Sequence, residues 1–263
     1  MFEVRNFFDN DDIMTLDQKG PFMVLEYERD LSVMPGNAMQ AYYSAKMDIR
    51  KRQLACDLSK ANVTIQAGAM QWMVGNVNAT TGIKGVGDLF GKAVRGKASG
   101  ESAIKPEYTG DGLLILEPTY KHLILLNTAD WGNSIVLDDG LFLACDSKLK
   151  HKAVMRSNLS SAIAGGEGLF NLSLNGSGIV CIESYCPAEE LIEIVLENDV
   201  VKIDGNYAVA WSKSLEFTVE RSGKSLLGSA ASGEGLVNVY RGTGKVLMMP
   251  VGKEPPVNMT VSL

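Results

Sequence analysis

Apolar residues along this chain gather in short runs cut by glycine and polar residues, a spacing that predicts strands throughout. Three stretches, "VTIQAGAMQWM" (63 to 73), "IVLDDGLFLAC" (135 to 145) and "VKIDGNYAVAW" (201 to 211), each read as an apolar strand, a glycine turn and a second apolar strand. Each follows a strand that runs into a polar turn: "RQLACDLSKAN", "KHLILLNTADWGN" and "ELIEIVLENDV". A second echo lies downstream. "GESAIKPEYTGDGLLILEP" from Gly100, "GEGLFNLSLNGSGIVCIES" from Gly166 and "GEGLVNVYRGTGKVLMMPV" from Gly233 keep one order of Gly-Glu, then Gly-x-Gly, then an apolar run. The three Gly-x-Gly sites are Gly110 and Gly112, Gly176 and Gly178, and Gly242 and Gly244. Two- and three-residue hairpin loops usually need positive φ, which is costly for a side chain bearing Cβ, so each block reads as strand, tight turn, strand.

A period of roughly 65 residues predicts three like modules sharing interfaces. The expected organisation is an N-terminal extension (1–50), module 1 (51–120), module 2 (121–188), module 3 (189–251) and a C-terminal tail (252–263). The fold class is therefore all-β, three tandem modules with pseudo-threefold symmetry. In the extension, "PFMVLEYERDLSVM" predicts a strand and "GNAMQAYYSAKM" a short helix with Met39, Tyr42, Tyr43 and Met47 on one face, with a strand as the alternative because its odd positions also alternate apolar. That face reads as packing against module 1, with a docking arm for a partner as the functional alternative. Small-residue connectors such as "GVGDLFGKAVRGKAS" suit crossing turns; their Gly85, Gly87 and Gly91 miss the dinucleotide spacing and lack a βαβ context.

Composition narrows the classes. The chain has 263 residues, 46% of them hydrophobic, and a net charge of −6, which disfavours DNA and leaves RNA unexpected. The acidic N-terminal stretch does not resemble a secretory signal, so a cytoplasmic place is expected, with peripheral membrane association as a further reading. The four cysteines, Cys56, Cys145, Cys181 and Cys186, read as buried small hydrophobes rather than disulfides or metal ligands.

With "AGAMQWM" (67 to 73), "GGEGLF" (165 to 170) and "GEGLV" (233 to 237) in hand, the chain resembles the bacterial branch of the altered-inheritance-of-mitochondria twenty-four family over about residues 51 to 251. That resemblance implies a fold similar to the tryptophan RNA-binding attenuator protein: small double-stranded β-helix or β-sandwich modules, three per chain, and trimers that close a ring. The family's mitochondrial relatives are linked to inner-membrane organisation; no activity or site residue comes with the resemblance.

Candidate chemistry is sparse. Glu101, Glu167 and Glu234 follow a glycine once per module and could gather to bind a cation, but pairing with backbone N–H groups or connector lysines is the plainer reading. A cupin-like metal enzyme needs two or three histidines with a carboxylate, and the chain has only two histidines, His122 and His151, in no ligand motif. No Gly-x-Ser-x-Gly elbow occurs. Trp72, Trp131 and Trp211 fall one to a module and read as core packing. The expectation is a non-enzymatic scaffold or binding protein without catalytic, metal or cofactor residues, a homo-oligomer with the trimer first. Its partner would be a protein or a membrane-associated complex. The alternative is a small-ligand or RNA-binding ring using grooves between modules, with a metal-dependent enzyme third.

Overall fold

The computed structural model describes residues 2–81, 105–155, 170–205, 207–221 and 236–251. Its strands are β1 (Ile13–Lys19), β2 (Phe22–Tyr27), β3 (Arg52–Asp57), β4 (Val63–Ile65), β5 (Met70–Thr80), β6 (Glu107–Leu116), β7 (His122–Asn127), β8 (Ser134–Leu137), β9 (Phe142–Asp146), β10 (Lys150–Met155), β11 (Phe170–Asn175), β12 (Ile179–Ser184), β13 (Ile192–Asp204), β14 (Ala208–Ser212), β15 (Glu216–Arg221) and β16 (Leu236–Met248). Among the described residues one α-helix, α1 (Ala38–Lys46), joins β2 to β3, and short 3-10 turns cover Thr128–Trp131 and Ala188–Glu190. The chain is mostly β, as the short apolar runs predict.

The strands form two antiparallel sheets. One runs β1-β2-β3-β6-β4-β9-β12-β7 with β5 on β6; the other runs β10-β11-β8-β14-β16-β13 with β15 on β16. Both curl, because the long strands β6 and β16 each serve two shorter strands along one edge. β6 pairs β4 through Val63↔Tyr108 and β3 through Ala55↔Ile115, while β16 pairs β15 through Phe217↔Tyr240 and β14 through Trp211↔Val246.

The Gly-x-Gly sites differ from the expected hairpins. Of the three, only Gly176-Ser177-Gly178 separates two strands, at the crossing from β11 in the second sheet to β12 in the first. Gly110 and Gly112 lie within β6, and Gly242 and Gly244 within β16. The chain bends there without reversing, since β6 keeps β5 as partner through the site and β13 follows β16 past it with a bulge between Leu196 and Asp199. The conformational reason for glycine survives: φ is 119° at Gly110, 117° at Gly176 and 118° at Gly242, a region closed to most side chains. The second glycine of each set faces a packed partner instead. A Cβ would lie 2.7 Å from Val77 Cγ2 at Gly112, 2.7 Å from Asp146 Oδ2 at Gly178 and 2.8 Å from Ser212 Cβ at Gly244.

Three large apolar clusters fill the body. One joins residues of β3, β4 and β6 to β7, β9 and β12, including Leu54, Cys56, Val63, Leu125 and Cys181. A second joins β7 to β12 with β14 and the end of β16, through Ile135, Leu137, Val180, Ala210 and Leu247. The third sets Trp211, stacked on Phe217 and edge-on to Tyr240, beside Val136 and Val246. Residues 13–27 add β1 and β2 to the outer edge of β3, so much of the expected extension belongs to the first sheet.

Candidate functional site

The described residues that carry chemistry do not converge. Glu101, Glu167 and Glu234 lie outside the described residues, as do most of the connectors and the tail after Val251. His122 is partly buried on β7 in the first sheet, and His151 is exposed on β10 in the second. Among the described residues no group of three His, Cys, Asp or Glu side chains could hold a metal ion. All four thiols are buried and free. Burial pushes Cys56 and Cys181 well up, Cys145 up to about 12, and Cys186 up to about 11, where the Glu190 carboxylate accepts a hydrogen bond from its Sγ at 3.6 Å. Such thiols stay protonated at neutral pH and make poor nucleophiles.

The second and third glycine sites are held by short polar side chains. Thr128 Oγ1 donates to Gly176 O at 2.7 Å and accepts from Gly178 N at 2.9 Å. The buried carboxylate of Asp146 accepts from Ile179 N at 2.7 Å, and Ser212 Oγ accepts from Lys245 N at 3.0 Å. At the third site Ser214 Oγ donates to Thr243 O at 2.8 Å, and Thr243 Oγ1 accepts from Asn198 N at 3.0 Å. At these two sites the bonds satisfy backbone groups that the bend removes from the ladder.

The tryptophans also have packing partners. Trp72 meets Phe7 edge-on at 5.5 Å, and Trp131, buried in a 3-10 turn, lies under Lys245 Nζ at 4.5 Å. Trp72 and Trp211 lie in comparable strands, β5 and β14, yet one position out of step. Against the matching residues of β6 and β16, Met73↔Leu114 answers Trp211↔Val246, and Trp72↔Ile115 answers Ala210↔Leu247.

Two surface features remain. The first is the arm between β2 and β3, residues 28–51. No residue of α1 is buried, and the arm exposes Leu31, Met34, Met39, Tyr42, Tyr43, Met47 and Ile49. The expected packing of the helix on the body is therefore absent. Helical spacing identified four of these side chains, while Leu31, Met34 and Ile49, in the irregular flanks, gave no periodic signal. The stem is fixed by charge. Arg52 reaches Glu26 at 2.6 Å with both side chains buried, Arg50 reaches Asp48 at 3.1 Å, and Lys51 pairs with Asp30, which raises the lysine and lowers the carboxyl. A hollow of about 510 Å³ opens between stem and helix, lined by Tyr27, Arg29, Asn37, Ala41, Arg50 and Tyr120.

The second is a hollow of about 360 Å³ between the turn after β4 and the turn after β8, lined by Gln66, Glu117, Thr119, Phe142 and Glu183. Two of its lining residues contact Lys105, whose Nζ donates to Gln66 Oε1 at 2.9 Å and lies over the Phe142 ring at 4.1 Å, while Lys121 holds Glu183 at 2.6 Å.

Curled antiparallel sheets, strands bent at recurring glycines and one projecting arm define a class of β-rich proteins organised around strand packing. The chain belongs to the AIM24 mitochondrial biogenesis family, whose model matches residues 43–251. It is 31% identical over 201 residues to an uncharacterized protein of Streptococcus pyogenes serotype M6, covering 73% of this chain and 78% of that one. The X-ray crystal structure of a Streptococcus pyogenes protein superposes with a TM-score of 0.57 at 28% identity, covering 78% of this chain and 89% of that chain. Among the described residues no helix is long and apolar enough to cross a membrane.

Proposed function

We propose that the protein is a non-enzymatic scaffold built from three like β-modules, acting as a homo-oligomer, trimer first, that presents the 28–51 arm to a partner protein. The observation that carries this reading is the arm itself. Seven large apolar side chains stand in solvent on a stem tied by ion pairs, a display that is stabilised only when something covers it. Charge favours a protein over an anionic lipid surface. Arg29, Arg50 and Lys51 each pair with an acid, leaving Lys46, stacked over Tyr42, as the arm's other cation. Buried thiols and separated histidines fit the same reading.

The test is affinity capture with the intact chain and with Met39→Ser/Tyr42→Ser/Tyr43→Ser, beside flotation on anionic vesicles. One defined protein retained by the intact chain and lost by the variant supports the reading. Capture unchanged by the variant, or flotation in place of capture, overturns the protein-partner assignment.

One observation favours a second reading, a small polar ligand: the 360 Å³ hollow, whose wall includes Gln66 and Phe142, both in contact with Lys105. Its carboxylates, Glu117 and Glu183, count against RNA, whose phosphates need a continuous basic and aromatic groove.

A further inference from the structure

Two junctions inside the chain are written in the same register. β4 lies antiparallel on β9 through Val63↔Asp146, Thr64↔Cys145 and Ile65↔Ala144. β8 lies antiparallel on β14 through Ile135↔Ser212, Val136↔Trp211 and Leu137↔Ala210. The residues correspond one to one. Val63, Ile135 and Val201 face Tyr108, Leu174 and Tyr240, each just before a Gly-x-Gly site, and Met73, Cys145 and Trp211 face Leu114, Val180 and Val246, each just after one. The even spacing carries the pattern one step further: Val201, Lys202 and Ile203 of β13 should meet Val74, Met73 and Trp72 of β5.

That third junction is open. Among the described residues β13 pairs only with β16, and β5 only with β6. Exposure registers the difference. Cys145 and Trp211 are 0% and 2% exposed, whereas Met73 is 44% exposed; on the facing side Thr64 and Val136 are buried and Lys202 is exposed. Among the described residues no large cluster of buried residues joins the two edges. The large clusters join the first set of strands to the second and the second to the third, and none joins the first to the third.

We infer that these edges are the two halves of one interface between copies of this chain: the 201–203 edge of β13 pairs antiparallel with the 72–74 edge of β5 in a second copy, in the register Lys202↔Met73. The occupant is a second copy because the chain already makes this contact twice, with the same strands and register. An unpaired strand edge is a template for such pairing. The two edges differ, so the contact is head to tail, and each added copy leaves the same pair of edges at its ends until the assembly closes. This rests on the oligomer reading above and supplies its contact.

The experiment co-expresses two differently tagged chains, one Met73→Cys and one Lys202→Cys, and oxidises them. Directly opposed cross-strand residues come close enough for a disulfide, and the four native thiols are buried. A cross-linked species carrying both tags, absent from either chain alone, is expected. A Met73→Cys/Lys202→Cys double variant that closes only within one chain would overturn the inference. A charge swap provides a second readout independent of disulfide geometry. Met73→Lys places two ammonium groups opposite each other and should raise the concentration for half-dissociation about tenfold or more, and adding Lys202→Glu should restore it. Light scattering of the unaltered chain separates the failures: a monomer sinks both the oligomer reading and this contact, whereas an oligomer indifferent to both sets of variants sinks the contact alone.

Discussion

Cys145 and Met73 occupy the same place in two similar arrangements of strands, yet one is sealed and the other stands 44% exposed. Each faces the apolar run that follows a Gly-x-Gly site, Val180 for Cys145 and Leu114 for Met73. The difference arises on the other side, where β4 covers Cys145 and no described strand covers Met73. Burial here is thus set by the neighbouring strands as much as by a residue's own hairpin, and an identical strand pair can be core or surface according to what is docked on its edge.

The largest effect should come from breaking a covered junction and comparing it with the open edge. Trp211→Ala removes a ring that is 2% exposed and packed between Phe217 and Tyr240, and should cost about 3–5 kcal/mol in denaturant unfolding. Met73→Ala at the matching position should cost less than about 1 kcal/mol in dilute protein, because much of the side chain already meets water. Equal losses would mean that Met73 is sealed in the isolated chain, and the contrast between the two edges would disappear.

The bends allow a finer comparison. Asp146 and Ser212 hold matching places, each accepting from the N–H that follows the Gly-x-Gly site. In the first set of strands that place belongs to Val74, and the ladder continues unbroken through Val74↔Leu113. Asp146→Ala, which removes a charged acceptor from a partly buried donor, should cost about 1–3 kcal/mol; Ser212→Ala, losing a neutral bond, about 1 kcal/mol. Urea midpoints for both variants check the order, and a costlier Ser212→Ala would contradict it.

Much of this was legible in the chain, and the misreadings have physical causes. Short apolar runs gave the strands, because residues buried between sheets must be apolar. Gly-x-Gly was read as reversal since positive φ most often serves hairpins; it cannot be told from a bend within a continuous strand until the partner strands are known. The arm was half legible. Met39, Tyr42, Tyr43 and Met47 recur at helical spacing, but periodicity identifies a face without saying whether anything covers it. The Glu26–Arg52 pair, the Thr128 and Asp146 bonds and the open edges depend on residues distant in sequence, so no local pattern announces them.

Where β3 approaches β7, pH supplies a smaller probe. Burial, and secondarily the Arg52 guanidinium, push His122 below its ordinary value, so the folded chain takes up this proton less readily than the unfolded chain. Stability from the neutral imidazole is fully present above about pH 6.5, the ordinary value, and is lost as pH falls from there toward the lowered one. His122→Gln should flatten that part of the profile of unfolding midpoint against pH between about 7 and 5, and an unchanged slope would assign it to other groups.

The arm should show the smallest effect of all on stability, and that is its diagnostic value. Met39 is 75% exposed and Tyr42 59%, and α1 buries no residue, so folding removes little of their apolar area from water. Met39→Ser and Tyr42→Ser should each change unfolding free energy by no more than about 0.5 kcal/mol, the usual range for surface positions. Met39→Ser also introduces a slightly poorer helix former, which should shift the balance by a few tenths of a kcal/mol at most. A loss of about 2 kcal/mol or more in dilute protein would mean that the helix packs on the body, which would remove it as a surface for a partner. A null effect on folding joined to a lost partner would locate the function of these side chains outside the fold they leave undisturbed.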